Sequence, residues 1–186
     1  MTDIKSARIA ILSTDGFEQS ELFKPRQALE AAGATVHVVS PKRGSIKGWK
    51  DGNRGDSVTV DVLLKDARQE GYDGLVLPGG QMNPDILRTL PEAISFVKSF
   101  FDARKPLAAI CHAPSLLIEA GIVRDLALTS YKLIKADRVN AGGRWEGRAV
   151  VVDNGVITSG NPDDLDTFSG KIIEQVAKSL QPLSAA

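Results

Sequence analysis

Cysteine is almost absent: one residue, Cys111, in 186. No internal disulfide can form, which excludes a secreted disulfide scaffold. Histidine is nearly as scarce, with only His37 and His112, and one Cys with two His cannot build a Cys-rich zinc site. An excess of either charge is also missing. The 23 Lys+Arg balance the 23 Asp+Glu, so long-range fields give no reason to favour nucleic acid or an anionic membrane. Long apolar runs are lacking. The first, at 9–12, is too short for a signal-peptide core, and no stretch approaches the ~20 apolar residues of a membrane span. The expectation is a cytoplasmic protein with no membrane partner. No G-x-G-x-x-G, P-loop, G-x-S-x-G or H-E-x-x-H motif occurs, and neither cofactor nor metal is expected.

What is present is the mix of an ordinary globular protein, 42% apolar and 25% charged, and the length predicts one domain over 1–186. Short apolar runs at 7–12, 35–40, 57–62, 72–77, 106–110, 127–130, 149–152 and 156–159 read as strands. Amphipathic segments at 18–32, 85–90, 92–103, 114–120 and 163–180 read as helices, Pro91 opening one of them and Gly33 and Gly121 ending two others. Asn154-Gly155 is a hairpin signal, and residues 184–186 read as a frayed end. Strand–helix alternation predicts an α/β sandwich with a mostly parallel sheet and a small antiparallel hairpin. In such a sheet the site lies beyond the carboxyl ends of the strands. That rule singles out the loops at 13–18, 78–85 and 111–114.

Cys111 sits where the strand at 106–110 gives way to the helix at 114–120. The local pattern Ala109-Ile110-Cys111-His112-Ala113 is small-x-nucleophile-x-small. A sharp strand-to-helix turn pushes its central side chain outward and tolerates only small neighbours, as in a nucleophile elbow. Helix N-terminal N–H groups favour thiolate, and Pro114 suits a first helical turn. The spacing therefore predicts a thiol pKa below the free value of about 8.5. Free cysteines are more often plain buried hydrophobes, so the functional reading rests on this frame. His112 is a candidate base. Gly79 and Gly80, after Pro78, let the backbone approach a ligand, and their N–H groups could serve an oxyanion, although a tight turn would use them too. Glu18 and Asp85 are carboxyls on the selected loops. The stretch 42–54 holds five basic residues, one acid and Trp49. Its glycines make it a solvated loop or hairpin, and nucleic acid is not the expected partner.

Together, Asp15-Gly16-Phe17-Glu18, Tyr72-Asp73-Gly74-Leu75-Val76-Leu77-Pro78-Gly79-Gly80 and Ala109-Ile110-Cys111-His112-Ala113-Pro114 resemble the ThiJ/PfpI superfamily, in particular its PfpI-type branch of intracellular cysteine peptidase homologues. The likeness continues through Thr129-Ser130-Tyr131, Asn140-Ala141-Gly142 and Asn161-Pro162-Asp163-Asp164-Leu165, covering nearly the whole chain. It implies a flavodoxin-like three-layer sandwich shared with class I glutamine amidotransferase domains. It also implies that Cys111 is a strained elbow nucleophile, that Glu18 hydrogen-bonds and tunes it, and that His112 is its partner. Asp85 would complete the site from a neighbouring subunit in a homodimer or larger assembly. Its spacing from Gly80 is one residue longer than in several relatives. Ala113 stands where glycine is frequent, 124–127 replaces a more basic stretch, and Gly160 stands where arginine is common.

The activities attached to this superfamily are peptidase, glyoxalase, deglycase, chaperone and oxidative-stress protection. Their shared chemistry is thiolate attack on an electrophilic carbonyl or on peroxide. The sequence leads first to a stress-response enzyme acting through Cys111 on small carbonyl or peptide substrates. The alternative is a redox sensor or protective chaperone whose lone cysteine is oxidised with little turnover.

Overall fold

A computed structural model describes residues 4–181. Residues 184–186 lie outside the described residues. The chain opens with β1 (Arg8–Leu12), the two-residue β2 (Phe17–Glu18) and helix α1 (Gln19–Ala31). β3 (Thr35–Ser40) follows, then β4 (Ser45–Lys50), β5 (Asn53–Thr59) and β6 (Val62–Leu63). β7 (Gly74–Leu77), α2 (Met82–Leu87), α3 (Pro91–Asp102), β8 (Leu107–Ile110) and α4 (Pro114–Glu119) form the middle of the chain. The last third holds β9 (Ala127–Leu128), α5 (Lys135–Asn140), β10 (Arg144–Trp145), β11 (Val150–Asp153), β12 (Val156–Ser159) and α6 (Leu165–Leu180).

Seven strands make the central sheet in the order β11-β12-β8-β7-β1-β3-β6, parallel except for β11. The period-2 alternation of a strand sorts side chains between the two faces. Ile9, Ile11, Val76, Ala108 and Ile110 join one core with Leu22, Leu29, Phe168 and Ile172 from α1 and α6. Ala10, Leu12, Leu75, Leu77, Leu107 and Ala109 join the other with Phe96, Val97, Phe100, Leu116 and Leu117 from α3 and α4. Helices on both faces explain why the strands read as unbroken apolar runs, and the flavodoxin-like three-layer expectation holds. From β1 the chain proceeds one way to β3 and the other way to β7, so the switch point lies between β1 and β7.

Asn154 (φ 49°) and Gly155 (φ 78°) turn β11 into β12, as their sequence predicts. The stretch 42–54 is part of a hairpin: β4 and β5 pair antiparallel around Asp51 (φ 49°) and Gly52 (φ 77°). β4 also pairs with β2, laying a three-stranded flap over the start of α1. The strand expected at 57–62 is thus divided between β5 and β6. The helix expected at 85–90 begins three residues sooner, at Met82, with Pro84 in the first turn, where a missing N–H costs nothing. α5 and β10 are too short for periodicity to reveal. Among the described residues no helix is long and apolar enough to cross a membrane.

Candidate active site

Three chain segments converge at the carboxyl ends of β1, β7 and β8. The first is the elbow. Cys111 follows β8 directly and has φ 60°, a left-handed conformation that costs a non-glycine residue about 1–2 kcal/mol. Two backbone bonds hold it there. Cys111 N–H donates to Ser159 O at 3.0 Å, and Tyr131 N–H donates to Cys111 O at 3.0 Å. The side chain is buried, 8% exposed, and Sγ lies 3.3 Å from His112 Nδ1. The imidazole in turn packs against Tyr131, ring centroids 5.0 Å apart.

The second segment is the glycine loop after β7. Gly80 has φ 81°, and a Cβ there would meet Gly16 O at 2.5 Å and Glu18 N at 2.7 Å, so only glycine fits. Its N–H, like that of His112, is directed at the Cys111 sulfur. Gly79 N–H does not face an open oxyanion position: it donates to Glu21 Oε2 at 2.8 Å. Of the two glycines expected to offer N–H groups at the site, Gly80 is therefore the one that does so at the sulfur.

The third segment is the start of α1, and here the carboxyl at the cysteine is Glu21 rather than Glu18. Glu21 is fully buried in the first turn and faces the Cys111 thiol. Glu18 precedes the helix, half-exposed, its carboxylate accepting from Ser20 Oγ at 3.3 Å. The signal for Glu21 was present: Glu21, Leu22, Pro25 and Leu29 recur at helical spacing and form the buried face of α1. An acid on that face must have a partner or a raised pKa.

Burial, and secondarily the charge of Glu18, pushes the Glu21 carboxyl up to about 8, although the Gly79 N–H pulls the other way. Oε2 is taken by that N–H, while Oε1 has no hydrogen-bond partner of its own. The Cys111 thiol is also pushed up, first by burial and next by the charge of Glu21, with the His112 and Gly80 N–H groups opposing. This overturns the expectation of a depressed thiol pKa. The elbow buries the sulfur against an acid, and desolvation outweighs the donors. Two anions cannot share such a site, so sulfur and carboxyl titrate as a coupled pair that is uncharged at neutral pH and gives up its first proton only near pH 8.

Burial lowers the His112 pKa, and the nearby carboxylate of Asp85 opposes this from within the same chain. The imidazole is thus neutral at pH 7. Asp85 is exposed on α2. Sequence reasoning also missed Asn83, which is fully buried. Its Nδ2 donates to Pro78 O at 2.8 Å and its Oδ1 accepts from Thr14 N at 2.8 Å, tying the loop after β1 to the glycine loop. Beyond Tyr131 a cleft of about 510 Å³ opens, lined by Ser130, Lys132, Trp145, Arg148 and Gly160 among others.

The family model described as DJ-1/PfpI family matches residues 7–175. The chain belongs to the DJ-1/PfpI family. Among its relatives is a protein of Pyrococcus abyssi named a deglycase, 42% identical over 90% of this chain and 98% of its own length. Another is a putative cysteine protease, YraA, of Bacillus subtilis, 36% identical over 88% of this chain and 95% of its own. Among solved structures, an Anabaena variabilis protein with DJ-1/ThiJ/PfpI-like and ferritin-like domains superposes with a TM-score of 0.86 at 32% identity over 97% of this chain. The chain spans about half the length of that two-domain protein, 52%. Drosophila melanogaster DJ-1beta superposes with a TM-score of 0.82 at 25% identity over the full length of both chains.

Proposed function

We propose that this DJ-1/PfpI protein is a cysteine-dependent enzyme acting on electrophilic carbonyls, by glyoxalase- or deglycase-like hydrolysis in preference to peptide cleavage. The observation that carries the reading is the pairing of a strained, buried Cys111 with a carboxyl whose pKa is raised to about 8. At neutral pH Glu21 keeps its proton. With Oε2 engaged by Gly79 N–H, that proton belongs on Oε1, which has no other hydrogen-bond partner. The reactive state is then a thiolate whose proton has passed to neutral His112, its Nδ1 3.3 Å from the sulfur, and which is held by Glu21 and by the N–H groups of Gly80 and His112.

For a glyoxal, the sulfur adds to the aldehyde carbon. The C=O π pair moves to oxygen, which takes the thiol's proton back from His112 to give a hemithioacetal and leaves the imidazole neutral. Neutral His112 or the carboxylate of Glu18 removes the proton on that carbon and returns one to the neighbouring carbon, leaving a thioester of the hydroxyacid. Water then breaks the C–S bond, releases the acid and restores the thiol. A cysteine only 8% exposed suits a two- or three-carbon carbonyl better than a folded peptide chain, and the name of the Pyrococcus abyssi relative points the same way.

The test is a panel of methylglyoxal, glycated amines and peptides offered to the parent and to Cys111→Ser side by side. Turnover of the first two by the parent and none by the variant is expected; equal activity in both would refute the reading. A second reading is supported by the unpartnered Oε1 of Glu21. Beside two N–H donors, it is placed to hold the oxygens of an oxidised sulfur, as a redox sensor would. Selective oxidation of Cys111 by mild peroxide with no turnover in the panel would favour it. The reading also includes a cytoplasmic stress role and a homodimer or larger assembly.

A further inference from the structure

Arg138 takes no part in the chemistry above, yet it is the largest side chain wholly withdrawn from solvent. Among the described residues its guanidinium makes no ion pair. Burying an unpaired cation is costly, and such a group calls for an explanation. Its hydrogen bonds supply one. Nη1 donates to Thr129 O at 2.6 Å, and Nη2 donates to Ser130 Oγ. Ser130 Oγ donates onward to Tyr131 O at 2.7 Å. Tyr131 N–H is one of the two backbone bonds that fix Cys111, and the Tyr131 ring packs on His112. The segment is pinned on its other side by Thr129 N–H donating to Thr158 Oγ1 at 2.9 Å, one residue before the Ser159 carbonyl that accepts from Cys111.

We infer that Arg138 is a positioning residue for the Cys111–His112 pair, clamping the strap Thr129-Ser130-Tyr131 against the elbow. A left-handed cysteine persists only where its surroundings over-determine it. Bonds from a cation are roughly twice as strong as neutral ones, and a planar guanidinium also fixes direction. Burial lowers the Arg138 pKa to about 10, which leaves it a cation at neutral pH.

The inference rests on Cys111 being the reactive group, and its test does not depend on which substrate is natural. The rate of Cys111 alkylation by iodoacetamide is followed from pH 6 to 10 in the parent, Arg138→Met, Arg138→Lys and Ser130→Ala. In Arg138→Met the apparent thiol pKa should rise by about half a unit or more, with Arg138→Lys between it and the parent. With methylglyoxal, kcat should fall about 10- to 100-fold while KM stays within about threefold, since displacement of a reacting group by an ångström has that effect. Ser130→Ala keeps the guanidinium and cuts the link to Tyr131. It should move the same readouts in the same direction, and it decides the matter if Arg138→Met does not fold. A folded variant with lower thermal stability but unchanged alkylation profile and kcat makes Arg138 a structural residue only and overturns the inference. If the parent does not turn over methylglyoxal, or if Cys111→Ser retains turnover, the functional reading fails. The alkylation profile still decides the role of Arg138.

Discussion

Replacing Glu21 by Gln tests the carboxyl–thiol pair through stability as well as activity. The Glu21 carboxyl titrates near 8 in the folded protein against an ordinary value of 4.5. A group whose folded pKa is raised contributes stability that is fully present below the unfolded pKa and lost as pH rises through the folded one. The window here runs from about 4.5 to 8. At roughly 1.4 kcal/mol per pH unit, the folded state gives up on the order of 3 kcal/mol by pH 7 and about 5 kcal/mol above pH 8. Glutamine has nearly the same shape, can still accept from Gly79 N–H and can donate to the sulfur, but carries no proton to lose. Urea unfolding followed by tryptophan fluorescence at pH 5, 6, 7 and 8 reads the difference. The variant should gain on the parent by about 1 kcal/mol per pH unit across this range and should be the more stable protein at pH 8. His112, whose pKa is lowered in the folded state, adds an opposite slope near its own titration. It is common to both proteins and cancels in the comparison. Turnover should fall even so, because an amide is a much weaker hydrogen-bond acid toward the thiolate than a protonated carboxyl. Parallel stability profiles would refute the assignment of a buried, protonated acid at this position.

Two further outcomes follow from the same contacts. Asn83→Ala removes the bonds to Thr14 N, Pro78 O and Gly79 O, and a longer one from Ser13 Oγ at 3.4 Å, from a fully buried position; the first three set the magnitude. At about 1 kcal/mol each it should cost roughly 3 kcal/mol in urea unfolding, and a loss below about 1 kcal/mol would mean the two loops hold without it. For assembly, sedimentation velocity should return a dimer or larger species. A strict monomer would remove the cross-subunit role of Asp85 and leave it acting on His112 within its own chain, where its charge already raises the imidazole pKa.

Much of the fold was legible in the sequence because its signals are local. Apolar runs bounded by glycine and proline marked the sheet strands, and Asn154-Gly155 marked the turn between β11 and β12. The Ala-Ile-Cys-His-Ala frame placed the elbow, and Gly80 placed the loop beside it. The hairpin of β4 and β5 was less legible. Its residues are polar and glycine-rich, and what orders them is pairing with Phe17 and Glu18 some 30 residues earlier in the chain.

Local signals alone specify an α/β sandwich with a mostly parallel sheet and a lone cysteine at the end of a buried strand. Side-chain period, turn chemistry and the scarcity of cysteine do not depend on distant contacts. Which carboxyl meets that cysteine depends on long-range packing. Glu18 and Glu21 are one helical turn apart, and the packing of α1 between the sheet, the flap and α6 turns the second inward. The same packing reversed the expected direction of the thiol pKa, because desolvation is a property of the assembled interior and outweighs the elbow's own N–H donors. It also buries Arg138 beneath the strap Thr129-Ser130-Tyr131.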